Sequence, residues 1–403
     1  MSAYDIIETD FFCQRDGLSI RGRQYLPRRR EGEPLPAAIL SHGFTGNYLS
    51  GADYGRALAA NGYAAFTFNF CGGARIGEDV DLISEGRSID LTPQTQVADL
   101  LSVTDYVRGL DAVDSDDVTL IGTSQGGFVT GLTAAERPDL FARIVLIYPA
   151  LCIPDHARRG RLGGSSYSIE DVPDEIDCGK TMLGAAFHDA VVGMDVYREL
   201  SRYHGPVLIL HGTDDQTVDH SYALRAHLNY RPGQSQLQLM RTAGHSFTHR
   251  QQSSAIASIL EFLSDRRELF SLRVIPTRRY ERQEGEERSE ILEFAGYIDS
   301  QIFSGTTVAG AHHTETYAGS DHVRTHIEYE LHGADSDGRF CRLHIVNHRT
   351  PDGWRPAITA DGAGMAWLRD ATLSAVVEPA SDGPTIRFFA DHRDVSRELQ
   401  AIA

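Results

Sequence analysis

The chain is short of cysteine, of basic residues and of long apolar runs. Its five cysteines, Cys13, Cys71, Cys152, Cys178 and Cys341, are odd in number and scattered, with no CxxC pair. This argues against a disulfide frame and against a thiolate zinc site, and it fits reduced thiols in a cytoplasmic protein. No apolar run approaches the about 20 residues that a helix needs to cross a bilayer. The opening residues, MSAYDIIETDFF, lack a basic segment followed by an apolar block, so no secretory leader is expected. Lysine and arginine number 38 against 56 acids, a formal net charge of −18. Such a surface repels nucleic acid and anionic lipid, and neither is expected as a partner. No internal repeat is visible.

With 41% apolar and 23% charged residues the chain reads as soluble and globular, and 403 residues are too many for one ordinary core. Two domains are expected, residues 1–266 and 267–403. In the first, strand and helix signals alternate. PAAILSHGF, AAFTFNF, VTLIGTS, RIVLIYPA and PVLILHGTDD are short apolar runs, as in strands buried on both faces of a parallel sheet. Between them, GADYGRALAANGY and TPQTQVADLLSVTDYVRGL have helical spacing, the second with Thr92 as N-cap before Pro93. SSAIASILEFLSD closes the series as a helix. This order predicts an α/β fold, a doubly wound and mostly parallel sheet. About fifty residues, roughly 151–205, interrupt the rhythm; an insertion of that length is expected to form a cap over a binding site. After Arg267, runs such as LFSLRVIPTRRY, THIEYELHG, RFCRLHIVNH and TIRFFADH are separated by turn signals SDGR, PDGW and SDGP. They predict an all-β domain, a small barrel or sandwich, with RRYERQEGEERSE as a solvated connection or hairpin.

The chemistry is concentrated at strand ends. Gly122-Thr123-Ser124-Gln125-Gly126 is a G-x-S-x-G sequence after a strand and before a helix. Small residues on either side allow a sharp turn that lifts the serine oxygen clear. A serine hydroxyl is a weak nucleophile and needs a base oriented by an acid. In this fold the order should be serine, acid, histidine. LILHGTDDQTVD places acids past a strand end, and LMRTAGHSF places His245 in a later loop. Among the acids Asp215 is chosen over Asp214 and Asp219, and His249 is the alternative base. Two backbone donors are needed for a developing oxyanion. The amides of Gln125, after the serine, and of Phe44, in the turn His42-Gly43-Phe44, are the candidates.

Taken together these residues resemble the α/β-hydrolase superfamily. PALCIPDHARRG, MDVYRELSRYHGPVLILHGTDDQTV and AGHSF narrow the likeness to the bacterial cinnamoyl (feruloyl) esterases, over roughly Tyr4 to Asp265. The resemblance implies Ser124 as nucleophile, His245 as base and Asp215 as its partner. It further implies that the insertion forms a small cap over an aromatic acyl group, with an aspartate and a tyrosine available to a phenolic hydroxyl. The aspartate corresponds to Asp155. At the tyrosine's place stands Phe187, which keeps an apolar wall and loses a hydrogen bond. The expected substrate is therefore a small ester with an aromatic or hydrophobic acyl group, and no cofactor or metal is expected. Thioester, lactone or acyl-transfer chemistry would use the same residues. The competing reading is a non-enzymatic binding scaffold, since fold alone does not fix function.

In the second domain, AGAHHTETYAGSDHVRTHIEY holds His312, His313, His322 and His326. On regular strands His313 and Glu315 would share a face, as would His322 and His326. The spacing matches no metal motif, and a polar barrel mouth or an interface is the expected role. A homodimer contact through this domain is an expectation, as is catalysis of its own on the hydrolase product.

Overall fold

The computed structural model describes residues 5–28, 34–264, 266–318, 321–350, 353–380 and 383–391. It divides the chain into two compact units, one from Ser2 to Phe262 and one beginning at Leu263.

The first unit is built on eight strands. The antiparallel pair β1 (Ile6–Arg15) and β2 (Leu18–Pro27) precedes β3 (Leu35–Ser41). Helix α1 (Ala52–Ala60), β4 (Ala64–Phe68), α2 (Pro93–Arg108), β5 (Val113–Thr123), α3 (Gln125–Glu136) and β6 (Arg143–Ile147) follow. The insertion then contributes α4 (Ile153–Ala157), two small hairpins, β7 (Arg161–Leu162) with β8 (Ser165–Ser166) and β9 (Glu175–Asp177) with β10 (Met182–Gly184), and helices α5 (Ala185–Val192) and α6 (Val196–Leu200). The unit closes with β11 (Val207–Gly212), α7 (Ser221–Asn229), β12 (Ser235–Met240) and α8 (His249–Leu263). The sheet order is β1-β2-β4-β3-β5-β6-β11-β12. From β4 to β12 every pairing is parallel, and the order reverses direction around β3. This is the α/β-hydrolase sheet. Its central strands are buried along nearly their whole length, which is why they read as continuous apolar runs rather than alternations.

Local signals explain the helices around it. Thr92 and Thr95 exchange side-chain and backbone hydrogen bonds as a capping box at the start of α2, with Pro93 in its first turn. Helix α2 in turn holds Asp99, whose fully buried carboxylate accepts from Arg15 Nε at 2.8 Å and from the Cys71 amide at 2.9 Å. That pair ties α2 to the edge hairpin. This hairpin is not among the elements expected from the sequence. Its alternating acids and arginines, Asp10 with Arg21 and Arg23, mark a solvated edge. No helix among the described residues is long and apolar enough to cross a membrane.

The second unit is a closed barrel. Its strands are β13 (Arg266–Glu284), β14 (Glu287–Asp299), β15 (Phe303–Thr307), β16 (His312–Ala318), β17 (Asp321–Asp335), β18 (Phe340–Thr350), β19 (Gly353–Ala360), β20 (Leu373–Glu378) and β21 (Thr385–Asp391). All pairings are antiparallel, and β13 pairs with both β14 and β21, which closes the ring. β15 and β16 share one position between β14 and β17, so the ring has eight staves. The charged RRYERQEGEERSE segment is the β13–β14 hairpin. Phe270, Leu272, Phe303, Leu331, Leu343, Ile345 and Phe388 fill the interior, so the barrel is packed rather than hollow. Parts of the turn signals PDGW and SDGP, at 351–352 and 381–382, lie outside the described residues, as does the sequence beyond 391.

Candidate active site

The serine stands where β5 gives way to α3. Ser124 has φ +52° and ψ −118°, a conformation that costs energy for a residue with a Cβ. Its backbone is held there by three hydrogen bonds: its amide donates to Ile147 at 3.0 Å, and its carbonyl accepts from Phe128 at 3.1 Å and Ala150 at 2.9 Å. Glycine is required on both sides. A Cβ on Gly122 would overlap the Gly126 carbonyl and the Thr130 hydroxyl, and one on Gly126 would overlap the carbonyls of Ser41 and His42.

Asp215 and His245 come from the loops after β11 and β12. The Thr213 amide donates to Met240 and the Asp214 amide to Ala243, each at 3.0 Å, so the loops after β11 and β12 are pinned together. That brings Asp215 to His245. His245 Nδ1 lies 2.8 Å from Asp215 Oδ2, and His245 Nε2 lies 2.8 Å from Ser124 Oγ. Asp215 Oδ1 accepts from the amides of Thr217 at 2.8 Å and Val218 at 2.9 Å. Burial works to raise the pKa of this carboxyl. Donation from His211, His245 and Val218 outweighs burial and holds it well below the usual carboxylate range. It is ionised at neutral pH. Asp214 is exposed and accepts from Thr213; Asp219 accepts from the Ser221 amide at the start of α7. His249 is exposed at the start of α8. None of these three reaches Ser124 or His245 through a hydrogen bond among the described residues.

One neighbour escaped the sequence reading. Tyr148, at φ +36° just after β6, packs its ring 5.0 Å from that of His245 and edge-on to Phe247 at 4.8 Å. Burial, and then the charge of Asp215, push its hydroxyl up to about 12, so it stays neutral. Its place at a strand end beside His245 was the available signal.

The turn after β3 runs against the serine. A Cβ on Gly43 would lie 3.1 Å from Ser124 Cβ. The turn closes through the Gly46 amide on the Gly43 carbonyl at 2.9 Å, with Thr45 at φ +55°. The amides of Phe44 and Gln125 have no acceptor among the described residues. Beside them is a cavity of about 10 Å³, lined in part by Gly43, Phe44, Gln96, Gln125 and Thr181. The Gln125 side chain is fixed by donation to Gln96 Oε1 at 2.8 Å.

The two residues proposed to touch the acyl group are treated differently by the fold. Asp155, on α4, borders a groove of about 270 Å³ that is also lined by Leu151, Pro154, Arg158, Met194, Tyr197 and Arg225. Its carboxylate is paired with Arg158 at 2.7 Å and accepts from the Tyr222 hydroxyl at 3.0 Å. Phe187, on α5, is 1% exposed and belongs to the main core. It packs the cap from within and is not open to a ligand, which corrects the expectation of an apolar binding wall. A helix with hydrophobic residues at most positions does not reveal from sequence which face meets a ligand.

In the barrel, His313 Nε2 and His322 Nε2 both lie against Glu315, at 2.7 and 2.5 Å, each on a different oxygen. His326 and His344 embrace Glu328 in the same way, at 3.0 and 2.8 Å. Because each imidazole takes its own oxygen, the groups flank the carboxylate instead of converging. Among the described residues no three His, Cys, Asp or Glu side chains form a metal site. Contrary to expectation, His322 and His326 do not share a face. The β16–β17 register skips position 323, pairing Thr316 with Arg324 but Tyr317 with His322. That bulge reverses the alternation and turns His322 toward Glu315.

A nucleophile elbow, a histidine relay to a buried carboxylate and an open pair of amides define a serine hydrolase of the α/β-hydrolase fold. Residues 55–267, just over half of the chain, match the prolyl oligopeptidase family of peptidase S9, and the chain belongs to that family. Among solved structures it is similar to Est1E of Butyrivibrio proteoclasticus with ferulic acid bound, at 26% identity and a TM-score of 0.56, covering 63% of this chain and 97% of that one. A second structure of Est1E gives 24% and 0.54, covering 63% and 98%. A hypothetical protein of Pseudomonas aeruginosa shares the fold at 14% identity and 0.53, covering 65% and 95%. Est1E is thus matched over almost its full length and has no counterpart for the rest of this chain. No curated protein matches the sequence.

Proposed function

We propose that this chain is a serine carboxylic ester hydrolase acting on esters of aromatic or hydrophobic acids. The observation that carries the proposal is the line of two 2.8 Å hydrogen bonds joining Ser124, His245 and Asp215. Ser124 Oγ attacks the ester carbonyl while His245 Nε2 takes the hydroxyl proton. The new C–O bond places negative charge on the carbonyl oxygen, which the Phe44 and Gln125 amides receive. The intermediate collapses with cleavage of the bond to the alcohol, and His245 returns its proton to that alcohol. Water then attacks the acyl-serine with His245 again as base, releasing the acid and restoring Ser124. Asp215, ionised and held by four donors, keeps Nδ1 protonated and stabilises the imidazolium.

Ferulic acid in the Est1E structure supports an aromatic acyl group. Asp155 is the residue we place against a polar substituent of that group. Arg158 and Tyr222 already engage its oxygens, so selection for a phenolic hydroxyl is expected to be weak. The test is hydrolysis of p-nitrophenyl acetate and butyrate, methyl ferulate and methyl cinnamate by the wild type and by Ser124→Ala. Turnover should fall by about 10⁶ in the variant, and ferulate and cinnamate should be cleaved at comparable rates. A wild type inert on every ester, or a variant as active as the wild type, would sink the proposal.

A further inference from the structure

We infer that His211 is a positioning residue for the acid of the triad, holding Asp215 through an N–H that it shares with the Val218 carbonyl. The inference rests on the reading of Ser124, His245 and Asp215 given above. His211 is the penultimate residue of β11 and is fully buried. Its Nε2 is 2.9 Å from the Val218 carbonyl oxygen and 3.2 Å from Asp215 Oδ2. Both neighbours are acceptors, so Nε2 carries the proton and donates to both. Nδ1 is then a bare lone pair, and it finds no donor among the described residues. A buried polar atom without a partner is costly, and an apolar side chain of similar shape would avoid that cost. What only the imidazole supplies is the Nε2–H.

Asp215 Oδ2 therefore sits between two imidazoles, while Oδ1 takes the amides of Thr217 and Val218. Four donors on one carboxylate leave it no freedom to rotate. Donation from His211 also draws charge away from the His245 side. Without it Oδ2 would be a stronger acceptor, would hold the His245 imidazolium more tightly, and would delay release of the free base to higher pH. The other titratable groups around this carboxylate, His220 beside Asp219 among them, are the same in the wild type and the three variants. The Tyr148 hydroxyl and the Cys152 thiol are both pushed up to about 12 by burial, and Asp219 is held below the usual carboxylate value by its bonds to Ser221.

The test uses a fluorophosphonate, in which the serine oxygen displaces fluoride from phosphorus while the base takes the proton. Its labelling rate is followed against pH in the wild type, His211→Phe, His211→Asn and His211→Gln. Phenylalanine and asparagine offer no donor at the Nε2 position; the glutamine amide does. The acid limb should move up by about half a pH unit or more in the Phe and Asn variants, and labelling near pH 6 should slow several-fold. Glutamine should restore the wild-type curve. The midpoint does not depend on how much protein folds, so a partly folded variant still answers the question. Wild-type midpoints in both His211→Phe and His211→Asn would reduce His211 to a packing residue and overturn the inference. Failure of the wild type to label at Ser124 is a different outcome, which would remove the triad reading and this inference with it.

Discussion

Replacing His42 by asparagine should abolish a pH dependence of stability carried by the hydrolase unit. His42 is 6% exposed in the turn after β3. Its Nδ1–H donates to the Gly43 carbonyl at 2.8 Å, and Nε2 accepts from the Phe70 amide at 3.4 Å. Burial pushes its pKa down from 6.5 to about 4, against a smaller upward effect of the Gly43 carbonyl. A base depressed in this way binds its proton more readily in the unfolded chain. Its stabilising contribution is complete above pH 6.5 and is lost as the pH falls from there toward 4. The fall from 6.5 to about 4 corresponds to about 3 kcal/mol at the limit, a large share of the stability of an ordinary domain. Asparagine keeps the donor to Gly43 and cannot be protonated. Urea unfolding should be followed by circular dichroism at about 222 nm, because the α-helices among the described residues lie in the first unit. Tryptophan fluorescence would report the barrel instead, since Trp354 and Trp367 are both there. Between about pH 7 and pH 4.5 the wild type should lose about 2 kcal/mol more than His42→Asn. Parallel losses in the two proteins would refute the reasoning.

Three further outcomes follow from the packing. Gly126→Ala should cost about 1–3 kcal/mol and most of the esterase activity, because its Cβ would overlap the Ser41 and His42 carbonyls; thermal unfolding and turnover measured together check this. Asp99→Ala strands Arg15 and the Cys71 amide, and should lower unfolding free energy by about 3–5 kcal/mol in urea. Thr92→Ala removes the capping box of α2 and should cost about 1 kcal/mol by the same assay, with kcat unchanged.

The parallel part of the fold was legible because its strands are buried on both faces and end in loops that carry chemistry. Ser124, Asp215 and His245 could be chosen from chain order and strand ends alone, since a parallel sheet gathers those ends at one edge. What was hidden depends on side-chain direction and register. The bulge at 323, which separates His322 from His326, leaves no mark in the sequence. Phe187 sits on a helix too uniformly apolar to show which face meets the core. Tyr148 packs on His245 from a neighbouring strand end, a contact between residues far apart in the chain, and the contact of His211 with Asp215, four residues on, depends on how the loop after β11 turns back; periodicity reveals neither. In the barrel the β-formers announced strands, but a break at 308–311 that makes β15 and β16 share one stave is a matter of pairing.

The central claim is a covalent acyl-serine, and its most direct test is to trap one. Protein mixed with p-nitrophenyl butyrate and quenched in acid during the first turnover would be digested and analysed by mass spectrometry. The account predicts a butyryl group on the peptide containing Ser124, and no such adduct in Ser124→Ala. Release of p-nitrophenol with the acyl group on another residue, or on none at any quench time, would contradict it.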